Sequence, residues 1–130
     1  MNPNADIYTK ANRDFGLASE KVVIKQLKEY FNEDIKSTIE RFCPYDAYSE
    51  NYKYEIKTRR NKYSTYPTTI ISLKKINTEG NLRFVFSFTD GLYYIDYDKE
   101  IFLTFKVQDI TIHKPVKHIL IPIENLIKIN

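Results

Sequence analysis

Residues 47–60 read "AYSENYKYEIKTRR", and the fold turns on how this stretch is divided. Tyr52, Tyr54, Ile56 and Thr58 alternate with Lys53, Glu55, Lys57 and Arg59. Successive side chains of a strand point to opposite faces, so a period of two predicts a strand with one apolar and one charged face. If Glu50-Asn51 form a two-residue turn, Ser49 pairs with Tyr52. The register then places Tyr48 opposite Lys53, Ala47 opposite Tyr54, and Asp46 opposite Glu55. Opposed residues share a face, with Cβ atoms roughly 5 Å apart. Two carboxylates so placed repel unless positive charge lies between them, and a divalent cation would turn that cost into a binding site. Lys57 lies on the same face as Glu55, two residues along.

Upstream, residues 13–31 read as an amphipathic helix capped by Asn12 or Asp14 and ended by Asn32. Its apolar positions include Phe15, Leu17, Ala18, Val22, Val23, Ile24, Leu27, Tyr30 and Phe31. Glu20 shares a stripe with Leu17, Ile24, Leu27 and Phe31, so a carboxylate interrupts an apolar face. A buried charge needs a cation, a hydrogen-bond network or a raised pKa; at the stripe's edge it would simply be solvated. Residues 36–42 read as a short strand. Downstream, Asn61–Tyr66 form a polar loop, and Pro67 suits the first turn of a helix through "PTTIISLKKIN". Two β-rich runs flank Asp90-Gly91, a hairpin signal. Residues 101–130 hold β-branched runs broken at Pro115 and Pro122, with a short helical turn expected at Ile123–Leu126. The order is helix, three strands, helix, strands, which predicts a mixed α/β domain with a central sheet flanked by helices.

The 130 residues suit one domain with one core. With 42% apolar and 28% charged residues the chain is of the globular type. A net charge of +3 permits a polyanionic partner without demanding one. Cys43 is the only cysteine, so an intracellular, reducing compartment (cytoplasmic or nuclear) is expected. No apolar run reaches membrane-spanning length, and no secretory signal opens the sequence. Metal-type Cys/His clusters, phosphate-cradling glycine loops and Ser or Cys nucleophile signatures are absent. His113 and His118 suit structural or surface roles.

Pro44-Tyr45-Asp46, then Glu55-Ile56-Lys57, with Glu20 on the preceding helix, resembles the PD-(D/E)xK nuclease superfamily. The pattern departs from the family's in that Tyr45 separates Pro44 from Asp46. The acid-x-Lys triplet also occurs at Asp34-Ile35-Lys36, directly after the helix and with no strand pair before it. The resemblance implies a restriction-endonuclease-like core of αβββαβ order over about 13–97, with a β-rich extension over 98–130. It implies Mg²⁺, with Mn²⁺ as a substitute, held by Asp46, Glu55 and the Ile56 carbonyl. Lys57 would assist the attacking water and Glu20 would complete the catalytic set. The activity implied is hydrolysis of DNA phosphodiesters, structure-specific or resolvase-like. The partner would be DNA, with a homodimer or a larger complex as the setting and no membrane. The alternative is a non-catalytic nucleic-acid-binding or assembly module that keeps the nuclease fold. Arg59, Arg60, Lys62, Lys74 and Lys75 follow the motif strand and are the expected phosphate contacts. Tyr63 and Tyr66 are placed to stack on bases or to pack under the loop.

Overall fold

In a computed structural model the protein is described over residues 10–38, 43–77, 80–111 and 114–130, with the side chains of the first helix described from Glu20 onward. Helix α1 spans Lys10–Phe31. It is already under way at Lys10, so Asn12 and Asp14 lie within it and do not cap it. The stripe holds where it is described: Val23, Ile24 and Leu27 are buried, while Val22 is turned outward. Asn32 takes a left-handed φ of 53° directly after the last turn, a conformation that asparagine tolerates at a helix end. Phe15, Leu17 and Ala18 lie among the side chains outside the described set.

Short strands β1 (Lys36–Ser37) and β2 (Ala47–Tyr48) lead to β3 (Lys53–Thr58). Of the strand expected at 36–42, residues 39–42 lie outside the described residues. The Glu50-Asn51 turn forms as expected: Ala47 pairs with Tyr54 and Tyr48 with Lys53, and Ser49 N–H donates to the Tyr52 carbonyl at 2.8 Å. Next come β4 (Thr68–Ser72), a 3₁₀ turn (Leu73–Asn77), β5 (Leu82–Phe88) and β6 (Gly91–Asp96). A one-turn helix α2 (Lys99–Phe102) is capped by the Asp98 carboxylate. Strands β7 (Lys106–Thr111), β8 (Pro115–Pro122) and β9 (Ile127–Lys128) complete the chain, with a 3₁₀ turn at Ile123–Asn125.

The helix expected after Pro67 is therefore a strand and a 3₁₀ turn. Thr68, Thr69, Ile70 and Ile71 are all β-branched, and this favours an extended backbone. A partner decides the matter: β4 pairs antiparallel with β8, Thr69 opposite Ile121 and Ile71 opposite Ile119. The second helix of the expected αβββαβ order is thus replaced.

Six strands form one sheet in the order β1-β2-β3-β5-β6-β9, and β4-β8-β7 form another. Only β3 and β5 run parallel, which makes the larger sheet mixed. One face carries Tyr54, Ile56, Val85 and Leu92 against Val23, Ile24 and Leu27 of α1. The other carries Phe84, Phe86, Phe88 and Ile95 against Ile71, Ile119 and Ile121 of the smaller sheet. The β5–β6 turn falls one residue early: Phe88 pairs with Gly91, leaving Thr89-Asp90 as the loop. Gly91 is needed for space, since a Cβ there would lie 2.9 Å from the Asn130 carbonyl oxygen. No helix among the described residues is long and apolar enough to cross a membrane.

Arg83 ties the helix to the sheet. Its guanidinium lies 3.8 Å from the Phe31 ring centroid and 3.5 Å from that of Tyr52. Its edge donates to Asp96 Oδ1 at 2.8 Å and to the Tyr54 hydroxyl at 3.1 Å. Tyr54 in turn donates to Glu33 at 2.9 Å.

Candidate active site

The amide directions along β3 decide what stands at its edge. Lys53 and Arg59 donate toward β5, to the Asn81 and Ser87 carbonyls. Residues of opposite parity, Tyr54 and Ile56, therefore direct both N–H and C=O toward β2. But β2 pairs with β3 only as far as Tyr54. At Asp46 the ladder slips: its N–H donates to the carbonyl of Tyr54, already the partner of Ala47. Two residues opposing one is a bulge, a device that re-aims a side chain. The Asp46 side chain accordingly replaces the missing strand, Oδ2 accepting the Ile56 N–H at 2.7 Å. The Asp46 carbonyl meanwhile accepts from Thr38 N–H and Oγ1, both at 3.0 Å. Asp46 thus stands beside Ile56 at the strand edge, and the expected pairing of Asp46 with Glu55 does not form, because the bulge sets Asp46 against Tyr54. The Ile56 carbonyl points to that same edge.

Glu55 leaves β3 on the opposite face from α1 and is only 4% exposed. Lys57 Nζ lies 3.1 Å from its Oε1, and Lys75 Nζ, from the 3₁₀ turn, lies 3.3 Å from the same oxygen. Glu55 Oε2 is buried and has no hydrogen-bond partner. Burial pushes the Glu55 carboxyl above the usual range, and the Asp46 charge pushes it further, while Lys57 and Lys75 pull it back. Glu20 is raised to about 7, first by burial and then by Asp46 and Glu55. Asp46 and Glu55 thus act on Glu20, and Asp46 on Glu55, while Lys57 and Lys75 offset part of the Glu55 charge.

A hard divalent cation fits this donor chemistry in part. Glu55 Oε2 is an acceptor held without a donor, and Asp46 and the Ile56 carbonyl add oxygen to the same strand edge. Among the described residues, however, no three His, Cys, Asp or Glu side chains are grouped closely enough to hold a metal ion. Any such ion would draw on two carboxylates at most, with the backbone and water supplying the rest.

The basic residues divide. Arg59 does not face outward: its Nη2 donates to the Ile70 carbonyl at 2.6 Å, its Nε to Thr69 Oγ1 at 3.3 Å, and its guanidinium lies over Phe86. It fastens β3 to β4, two of its N–H donors meeting the Ile70 carbonyl and the Thr69 hydroxyl. This corrects the expectation that it holds phosphate. Lys75, expected at the phosphates, engages Glu55 instead. Arg60, Lys62 and Lys74 are exposed. Tyr63 packs under its loop, stacked on Tyr93 at 4.1 Å with its hydroxyl donating to the Ile123 carbonyl at 2.8 Å, whereas Tyr66 is exposed. Cys43 is a half-buried free thiol. Sequence reasoning missed Lys75 as a partner of Glu55, because only the strand in place of the expected helix swings it there.

No protein-family model, curated protein or solved structure matches the chain.

Proposed function

We propose that the chain is a divalent-cation-dependent nuclease of the PD-(D/E)xK type, acting on DNA. The observation that carries this reading is a buried oxygen of Glu55 left without a donor, with Lys57 beside the same carboxylate and Asp46 fixed at the edge of the same strand. A helix, three strands and a parallel return strand, β5 beside β3, are compatible with a restriction-endonuclease-like core. The strand-and-turn crossover departs from it.

Mg²⁺ bound here would supply Lewis-acid stabilisation of the phosphate and an activated water. The chain's own groups do the positioning. Asp46 is pinned at the strand edge by Ile56 N–H, which fixes one donor oxygen. Lys57, half-buried beside Glu55, is placed to hold a water or to offset charge that grows on the phosphate. Glu20, raised to about 7, exchanges a proton near neutrality and can take one from a water at the site.

One observation favours a second reading, a nucleic-acid-binding module without catalysis. Lys57 and Lys75 both reach Glu55 Oε1, so ammonium groups already offset the charge of the carboxylate that a cation would use. Cleavage of linear, branched and single-stranded DNA and of RNA, with Mg²⁺ or Mn²⁺, separates the two. The nuclease reading requires metal-dependent cleavage that Asp46→Ala and Lys57→Ala abolish. Binding without cleavage by the wild type favours the module.

A further inference from the structure

The sheet face that carries Glu55 also bears a row of side chains that the site does not use. Lys36 of β1 pairs with Tyr48 of β2, and Tyr48 pairs with Lys53 of β3. Directly opposed residues share a face, so the three side chains form one row across three strands. In the next row Ala47 and Tyr54 are buried toward α1. The Lys36–Tyr48–Lys53 row therefore lies on the other face, and alternation along β3 puts Lys53 on the face of Glu55 and Lys57. Two residues of strand separate Lys53 from Glu55, an advance of about 7 Å. Tyr48 is 41% exposed although it is held in a strand. Tyr45 meets it edge to face, with ring centroids 6.4 Å apart and planes at 75°. Lys53 Nζ lies 5.2 Å from the Tyr45 centroid. These three residues border a cleft of about 420 Å³ that reaches the Glu50-Asn51 turn and Asn81. The turn beside Tyr48 is well tied. Ser49 N–H donates to the Tyr52 carbonyl at 2.8 Å, Ser49 Oγ accepts the Tyr52 N–H at 3.2 Å, and Asn81 Nδ2 donates to the Asn51 carbonyl at 3.3 Å.

We propose that this row is a stacking platform for one unpaired nucleobase of a DNA strand whose phosphate lies at Glu55 and Lys57; this rests on the nuclease reading above and makes the substrate single-stranded or locally unpaired DNA. The base lies on the Tyr48 ring, beside Tyr45. Stacking on a tyrosine needs a base with an open face, which a base inside a duplex lacks. An aromatic ring set between cations is the arrangement that tracks a single strand. Charge favours a base over a run of phosphates as the occupant, because Glu33, Asp34 and Glu50 lie around the same hairpin and keep the row from being a strongly basic patch. Lys53 stands between Tyr48 and Glu55, in position to meet the phosphate that joins the stacked nucleotide to the scissile one. A proline-rich peptide can also dock on tyrosines. Continuity of the row with Glu55 and Lys57 on one sheet face favours the nucleotide.

Fluorescence anisotropy of the full chain on a labelled single strand of about twelve nucleotides, in EDTA to prevent cleavage, tests the platform. Tyr48→Ala should weaken binding about fivefold or more, whereas Tyr48→Phe, which keeps the ring, should stay within about twofold of the wild type. Circular dichroism and melting show that both variants are folded. A second readout uses the wild type alone: 2-aminopurine, placed along the strand one position at a time, should be quenched on binding at one position, and an abasic residue there should cost affinity. Tyr48→Ala should remove both the quenching and the abasic penalty. Binding to the matching duplex should not depend on Tyr48. Equal affinity of wild type and Tyr48→Ala for the single strand overturns the proposal, as does failure of the wild type to bind single strands. Tyr48-dependent binding of a proline-rich peptide without quenching of any base assigns the row to a protein partner and also overturns it. The nuclease reading fails separately: Tyr48-dependent binding without metal-dependent cleavage leaves the platform standing, and cleavage with Tyr48-independent binding leaves the nuclease standing.

Discussion

Asp46 and Ile56 are joined side chain to backbone: a carboxylate oxygen takes the place of the strand that β3 lacks beyond Tyr54. One residue therefore closes a strand edge and aims a charge into the site. The two roles separate by substitution. Asp46→Asn keeps an acceptor for Ile56 N–H and loses the charge, so cleavage should fall at least about 100-fold while stability stays within about 1 kcal/mol. Asp46→Ala should lose cleavage equally and also about 1.5–3 kcal/mol of stability, the usual worth of a hydrogen bond to a charged group. Single-turnover cleavage and urea unfolding read the two effects.

Lys75 competes with a cation for Glu55. Lys75→Met should leave a buried carboxylate with one ammonium partner and destabilise the metal-free protein by about 1–2 kcal/mol. Mg²⁺ should then restore the melting temperature more strongly than in the wild type, because the ion meets a less neutralised oxygen. A variant that melts lower and shows no response to Mg²⁺ would support the module without catalysis.

The metal-free protein should grow more stable on mild acidification. Glu20 has a folded pKa of about 7 against an ordinary value of 4.5, so between those values the folded state holds more protons than the unfolded chain. Stability therefore falls as pH rises from about 4.5 to 7 and is flat for this group outside that window. Glu20 is partly open to solvent, and screening reduces the swing to about 1 kcal/mol. Melting in EDTA at pH 5, 6, 7 and 8 should show the fall, and Glu20→Gln should flatten it.

Arg83 should tolerate no replacement. Its planar cation fills the gap between the Phe31 and Tyr52 rings while its edge reaches Asp96 and Tyr54. Arg83→Lys places a compact ammonium where a stacked plane and a fork are needed, and should cost about 2 kcal/mol or more. Arg83→Ala should cost about 3–5 kcal/mol, since it also leaves buried partners unpaired. Denaturant midpoints at constant m-value give the comparison.

The hairpin at Glu50-Asn51 and the Glu20 stripe were legible because both depend on neighbours in sequence: a turn of two residues and a helical spacing of three and four. Asp46 was legible as a partner of β3 but not as an edge cap, because the bulge depends on Thr38 holding its carbonyl. The stretch after Pro67 misled. A proline suits both a helix start and a strand start, and the choice was made by β8, which lies far along the chain. Arg59 looked like a phosphate contact because its sequence neighbours are basic, yet its acceptors are the Ile70 carbonyl and Thr69 on another strand. Arg83 gave no local signal, since its two stacking rings belong to α1 and to the loop before β3.

The pairing of Thr69 with Ile121 sets a timetable for folding. The β2–β3 hairpin closes locally and fast, but β4 waits for a strand about fifty residues later, and such distant closures are slow. Lys75 reaches Glu55 only once that strand has docked. The ionic core of the site should therefore assemble after the hairpin, on the slow limb of the kinetics. Substitutions in the Glu50-Asn51 turn, which forms first, should retard refolding, whereas those in β8, which docks late, should mainly speed unfolding.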